Sequence, residues 1–113
     1  MNTPTPEAEK AAREVTKRIV REGRMRRSEA ARLLRDGLPI ILRGFAMARI
    51  KGRPEAAITE ELEAAHAEAQ RRFDAARTGF SRHLAEIDRC AAEFAIAAWD
   101  GVRRDLANHL AAH

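Results

Sequence analysis

From Leu62 onward the small and apolar positions recur at a fixed interval: Leu62, Ala65, Ala69, Phe73, Ala76, Phe80, Leu84, Ile87 and Ala91, in steps of 3, 4, 4, 3, 4, 4, 3 and 4. Eleven residues per three turns is about 3.67 residues per turn, so these positions share one face of a helix. Ile58 extends the stripe backward, and Phe94, Ala98 and Val102 extend it forward. The phase survives Thr78-Gly79, the one turn signal inside the stripe. This predicts a single helix from about residue 54 to at least residue 98, with Gly101 ending or bending it before Leu106 and Leu110. The competing reading keeps a turn at Gly79 and makes a monomeric bundle.

Ahead of this segment the pattern is shorter-ranged. Residues 1–6 read as a disordered tail. Pro6 or Glu7 opens a first helix with acids at its start, running to about Glu22 and stopped by Gly23. Glu9/Arg13, Glu14/Arg18 and Glu22/Arg26 are spaced for i, i+4 pairing. Ser28 reads as the cap of a second helix over about 29–36, ending at Gly37. A third helix follows over about 39–50, or continues the second with a kink at Pro39. Ile40, Ile41, Leu42, Phe45, Met47 and Ile50 cover more than one of its faces, the pattern of a buried element. Lys51-Gly52-Arg53-Pro54 is a break, with Pro54 at the first position of the last helix.

The fold class expected is therefore all-α: three short N-terminal helices plus one long C-terminal helix, as a helical bundle or a coiled-coil-like oligomer. The chain divides into a tail (1–6), a basic helical region (7–53) and a long amphipathic helix with an oligomerisation seam (54–113). A helix of ~45 to 55 residues is ~70 to 80 Å long, whereas a compact globule of this chain length has a radius of gyration of only ~13 to 14 Å. The front helices are too short to cover such a stripe. Leu62, Ala69, Phe73, Phe80, Leu84, Ile87 and Phe94 are thus the candidate oligomer interface, for another copy or another protein.

Composition agrees with helices. Ala, Arg, Glu and Leu dominate the 113 residues, 4% are aromatic, and no Tyr occurs. The single cysteine, Cys90, cannot form an internal disulfide, which fits a reducing cytoplasm. The first residues lack a secretory pattern, and the longest apolar runs, Leu38 to Leu42 and Phe94 to Trp99, fall far short of a membrane span of ~20 residues. No membrane partner is expected.

Charge changes the picture more. Residues 1–53 hold 14 Lys/Arg against 6 Asp/Glu, and residues 54–113 hold 7 against 11. Seven cations lie between Lys17 and Arg32 against only Glu22 and Glu29. Such asymmetry favours an anionic partner for the front half, double-stranded DNA among them. It is equally compatible with a solvated helix face, or with attraction between the two halves. The stretch from Arg21 to Leu38, with Gly23, Arg24, Arg26, Arg27, Ser28, Arg32 and Gly37, resembles the helix–turn–helix portion of ribbon-helix-helix DNA-binding proteins, without the strand that family places before its first helix. The resemblance implies that Ser28 caps the second helix and that this helix's N-terminus meets a DNA phosphate. Lys17, Arg18, Arg21, Arg24, Arg26, Arg27, Ser28 and Arg32 are the candidate nucleic-acid contacts.

Catalytic signatures are absent. Glycines sit at helix ends rather than in a phosphate loop, and Cys90, beside the apolar stripe, reads as a small buried hydrophobe. Glu63-Ala64-Ala65-His66 has the Glu-x-x-His spacing of helical di-iron sites, and His83 and Glu86 repeat it in reverse. In a chain so rich in Glu this is chance spacing, and no metal or other cofactor is expected. His109 and His113 read as surface residues. Two non-enzymatic functions remain in balance: a nucleic-acid-associated assembly protein with a basic front half, and a protein–protein adaptor that docks through residues 38–50 and the long stripe. A helical metal or redox enzyme is the third and weakest.

Overall fold

Pro6 supplies a fixed helical φ where no N–H is needed, and Glu7 and Glu9 in the same turn oppose the positive end of the helix dipole. Helix α1, Pro6–Arg21, starts there in the computed structural model, which describes residues 5–112. Its inner face is Ala8, Ala12, Val15 and Ile19, at intervals of 4, 3 and 4, all buried. Gly23, at φ +73°, ends it. The Gly23 N–H donates to the Val20 carbonyl at 3.0 Å and the Arg24 N–H to the Ile19 carbonyl at 3.1 Å, a Schellman closure. Of the expected tail, residues 1–4 lie outside the described residues. The expected i, i+4 pairs of α1 do not form; Arg18 and Glu22 find partners elsewhere.

Helix α2, Arg27–Arg32, a π-helical turn, Leu33–Gly37, and helix α3, Leu38–Ile50, follow as one uninterrupted rod. Sequence placed a stop at Gly37, with a kink at Pro39 as the alternative, and the continuous rod is what forms. An α-helical Pro39 would press its ring on the carbonyl four residues back. The wider turn, with the Leu38 N–H bonded to the Leu33 carbonyl, loosens that crowding. The helix also starts earlier than expected: Arg26 is the cap residue and its N–H donates to the Glu29 carboxylate at 3.2 Å. Ser28 therefore lies inside the first turn and caps nothing.

Helix α4, Glu55–Ala75, and helix α5, Gly79–Ala112, form an antiparallel hairpin. This corrects the single rod expected from residue 54 to beyond residue 98. The chain turns at residues 76–78, where Ala76 is extended and Thr78 Oγ1 accepts the Ser81 N–H at 3.0 Å, capping α5. Phase continuity did not discriminate, because two helices packed on one core each need an apolar face. Gly101 neither ends nor bends α5. It lies mid-helix where α1 crosses closely: a Cβ at Gly101 would sit 2.5 Å from Ala8 Cα and 2.6 Å from the Glu7 carbonyl oxygen. One turn on, Asp105 accepts the N–H groups of Glu7 and Ala8 at 3.0 and 3.1 Å, capping α1 from another helix.

Helix α5 runs antiparallel to both α1 and α4 and is the spine. Its 34 residues span ~51 Å at 1.5 Å each, matching the 52 Å long axis of the molecule. The core gathers Ile19, Leu38, Phe45, Ile58, Phe94 and Trp99. Phe45 lies tilted against Trp99 with ring centres 5.0 Å apart, and the indole N–H donates to Thr59 Oγ1 at 2.8 Å. The described residues contain no strand, and no helix among them is long and apolar enough to cross a membrane.

Candidate interaction surfaces

The candidate nucleic-acid residues divide into an inward and an outward set. The Schellman turn at Gly23 aims Arg24 back along α5. Its guanidinium bonds to Glu86 and Glu93, and to Glu22 at 2.9 Å. Arg18 joins Glu93 at 3.2 Å, Arg89 joins Glu86 at 2.6 Å, and His66 Nε2 lies 4.0 Å from Glu93. Bonding to Glu93, resisted by burial and helped by Glu86, raises the Arg24 pKa further above its ordinary value. Burial pushes the Glu93 carboxyl up, but the Arg24 guanidinium outweighs it and the net shift is downward. Arg24 is thus a structural lock between the α1–α2 turn and α5, not the exposed phosphate contact expected. Its position just after the helix-ending glycine, where the chain folds back on its own helix, was the missed signal.

The outward set is different. Lys10, Lys17 and Arg21 share the solvent face of α1 at intervals of 7 and 4, and Arg13 flanks them. Arg27 and Arg32 are exposed on α2. None of these six has an ion-pair partner among the described residues. Arg26 is exposed with only Glu29 at 4.0 Å, and the Ser28 side chain is exposed beside it. Lys10 and Arg13 extend the basic face one helical turn further than the sequence reading took it.

Two apolar surfaces remain open. On α3 only Leu38 and Phe45 are buried; Ile40, Met47 and Ile50 are 61, 51 and 77% exposed along the opposite face. The expected full burial of this helix therefore fails, because the rod lies at the edge of the bundle and presents one side to the core. Cations are the only charges on α3, Arg43 and Arg49, and Lys51 and Arg53 follow. The second surface is on α5. Of the seven candidate interface residues, Ala69 and Phe94 are buried within the chain and Leu62 and Phe73 are partly covered. Phe80, Leu84 and Ile87 are 72, 46 and 50% exposed. Phe73 is held by arginine: the Arg89 guanidinium carbon lies 4.2 Å from its ring centre and that of Arg82 5.1 Å.

The Cys90 thiol is buried beside the Arg24 carbonyl, and burial, only partly offset by Arg24, pushes its pKa up to about 11. The thiolate that would react is thereby disfavoured. Glu63 is exposed while His66 turns toward Glu93, and Glu86 is engaged by Arg24 and Arg89. Neither Glu/His pair recruits a third ligand: no group of three or more His, Cys, Asp or Glu side chains converges among the described residues. The grooves are shallow surface features, such as the one between Gly23, Met25, Phe73, Arg82 and His83. Set against family models, curated proteins and solved structures, the chain matches none.

Proposed function

We propose that this protein is a non-enzymatic helical assembly protein that associates with nucleic acid through phosphates. One observation carries the reading: Lys10, Arg13, Lys17 and Arg21 on α1, with Arg27 and Arg32 on α2, are exposed cations without an ion-pair partner among the described residues, Arg32 alone acting at a distance on Asp36. Glu9 and Glu14 are exposed on the same helix but are outnumbered by these cations, so the face keeps a net positive charge. A helix face of this kind binds a polyanion by releasing counterions. It carries one aliphatic-stemmed cation every turn or two and no planar donor held rigidly by a neighbour, so it contacts backbone and reads little sequence.

The reading predicts retardation of duplex DNA that weakens steeply with salt. Changing Lys17 and Arg21 together to Ala should weaken binding equally across unrelated sequences and flatten the log K against log salt slope by about 2, roughly one per lost phosphate contact. Fluorescence anisotropy between low and physiological salt measures both. An unchanged slope removes this face from the contact.

A second reading, a protein–protein adaptor, is favoured by the open α3 face. Ile40, Met47 and Ile50 flanked by Arg43 and Lys51 suit an acidic amphipathic helix. If no retardation occurs at any salt concentration while a defined protein complex forms and is lost with Met47→Glu, this reading replaces the first.

A further inference from the structure

The long stripe seen in the sequence is divided between the inside and the outside of one molecule, and the division has a geometric cause. On α5 it reads Phe80, Leu84, Ile87, Ala91, Phe94, Ala98, then Gly101 and Asp105, in strict alternation of 4 and 3 residues. That is the seam of a helix built to receive another helix. Along its C-terminal half it meets one. Ala8 of α1 rests on Gly101, Asp105 holds the α1 N-terminus, and Phe94 and Ala98 are fully buried. But α1 has 16 residues and α5 has 34. Antiparallel to α5, α1 is spent at Arg21, and Arg24 closes the arrangement at the level of Glu86 and Glu93. From Ala91 toward the α5 N-terminus the same seam is exposed, and its large members there are Ile87, Leu84 and Phe80.

We propose that a second copy of this chain covers this overhang, its α5 running antiparallel to the first with the two Leu84 side chains meeting near a two-fold axis. The covered half of the seam shows the kind of occupant it takes, an antiparallel helix. Charge decides the orientation. Arg77, exposed and without an ion-pair partner among the described residues, stands at one end of the overhang, and Asp88 at the other, held on one oxygen by Arg72 at 3.4 Å. Antiparallel α5 helices set Phe80 against Ile87 of the other copy and bring each Arg77 within a turn of the other Asp88. Parallel ones would oppose like charges. Three partly exposed side chains and their rim fall short of the ~800 Å² per partner of a standard interface, so the dimer is weak and concentration-dependent.

This inference deepens the assembly half of the reading above, and it is tested without nucleic acid so that either can fail alone. Sedimentation velocity between about 10 μM and 1 mM should show the mass rising from 12.6 kDa toward twice that value. Leu84→Lys should raise the dissociation constant at least about tenfold, while Ile40→Lys on α3 leaves it unchanged. Arg77→Asp and Asp88→Lys should each weaken the dimer, and an equimolar mixture of the two single variants should restore it, a recovery that no effect within one chain can produce. Leu84→Cys should cross-link to itself on oxidation, with wild type, whose only thiol is buried, as the control. A monomer throughout this range, a dimer lost with Ile40→Lys but kept with Leu84→Lys, or a charge swap without recovery would overturn the proposal.

Discussion

Replacing Gly101 by alanine is expected to lower the unfolding free energy by about 3 kcal/mol, despite alanine being the better helix former by about 1 kcal/mol. The added Cβ would sit 2.5 to 2.7 Å from Ala8 Cα, the Glu7 carbonyl oxygen and the Ala8 nitrogen. These are backbone atoms and cannot rotate away. Helix α1 would have to lift from α5, weakening the two bonds from Asp105 to the α1 N-terminus. Asp105→Ala removes those bonds alone and should cost about 2 kcal/mol, the upper range for a helix cap. Gly44→Ala is the control: it lies within α3 with nothing within 4 Å of the new Cβ, and should be neutral or stabilising by up to about 1 kcal/mol. Urea unfolding followed by the fluorescence of Trp99, the single and buried tryptophan, measures all three. If the Gly101 variant is as stable as wild type, α1 does not dock on α5 as described.

The second large effect is at Arg24. Arg24→Met should cost about 3 kcal/mol near neutral pH, because Glu86 and Glu93 are then left as partly buried carboxylates without their principal cation. The pH dependence gives the stronger check. Glu93 is held below its ordinary value of 4.5 in the folded protein. Between the two values the unfolded state binds more protons, so stability rises with pH there. The contribution is complete above about pH 4.5 and is lost as pH falls through the depressed folded value. In the variant, burial acts on Glu93 without Arg24 to oppose it, so protonation relieves the penalty. The difference between wild type and variant should be widest near pH 7 and narrow toward pH 4. A difference constant across that range would mean that Arg24 contributes packing rather than charge.

Much of the helical layout could be read from residues whose effects are local. Pro6 with Glu7 and Glu9 began α1, Gly23 and Gly52 ended helices at positive φ, and the break before Pro54 was in place. Three expectations failed for one kind of reason. The stripe from Leu62 to Ala91 reported that each residue wants an apolar neighbour, but not whether that neighbour lies on the next turn, across a hairpin or on another molecule. The apolar pattern of α3 predicts burial on all sides, yet only the side bearing Leu38 and Phe45 meets the core. Arg24 belongs to a basic run by sequence, but its side chain, joined by Arg18, turns inward to the α5 carboxylates while Lys17, Arg21, Arg27 and Arg32 face solvent.

Local residues were enough for the all-α class, for both ends of α1, the end of α3 and the start of α4, and for the basic front half, because helix propensity, caps and net charge depend on residues within a turn or two of one another. Packing between distant segments settles the rest: the back half folds into a hairpin, Glu86 and Glu93 bond to Arg24, and Phe80, Leu84 and Ile87 stay outside while Phe94 and Ala98 go inside. Those outcomes depend on where α1 and the α4–α5 turn end relative to the length of α5, a distance in space between residues up to 98 positions apart.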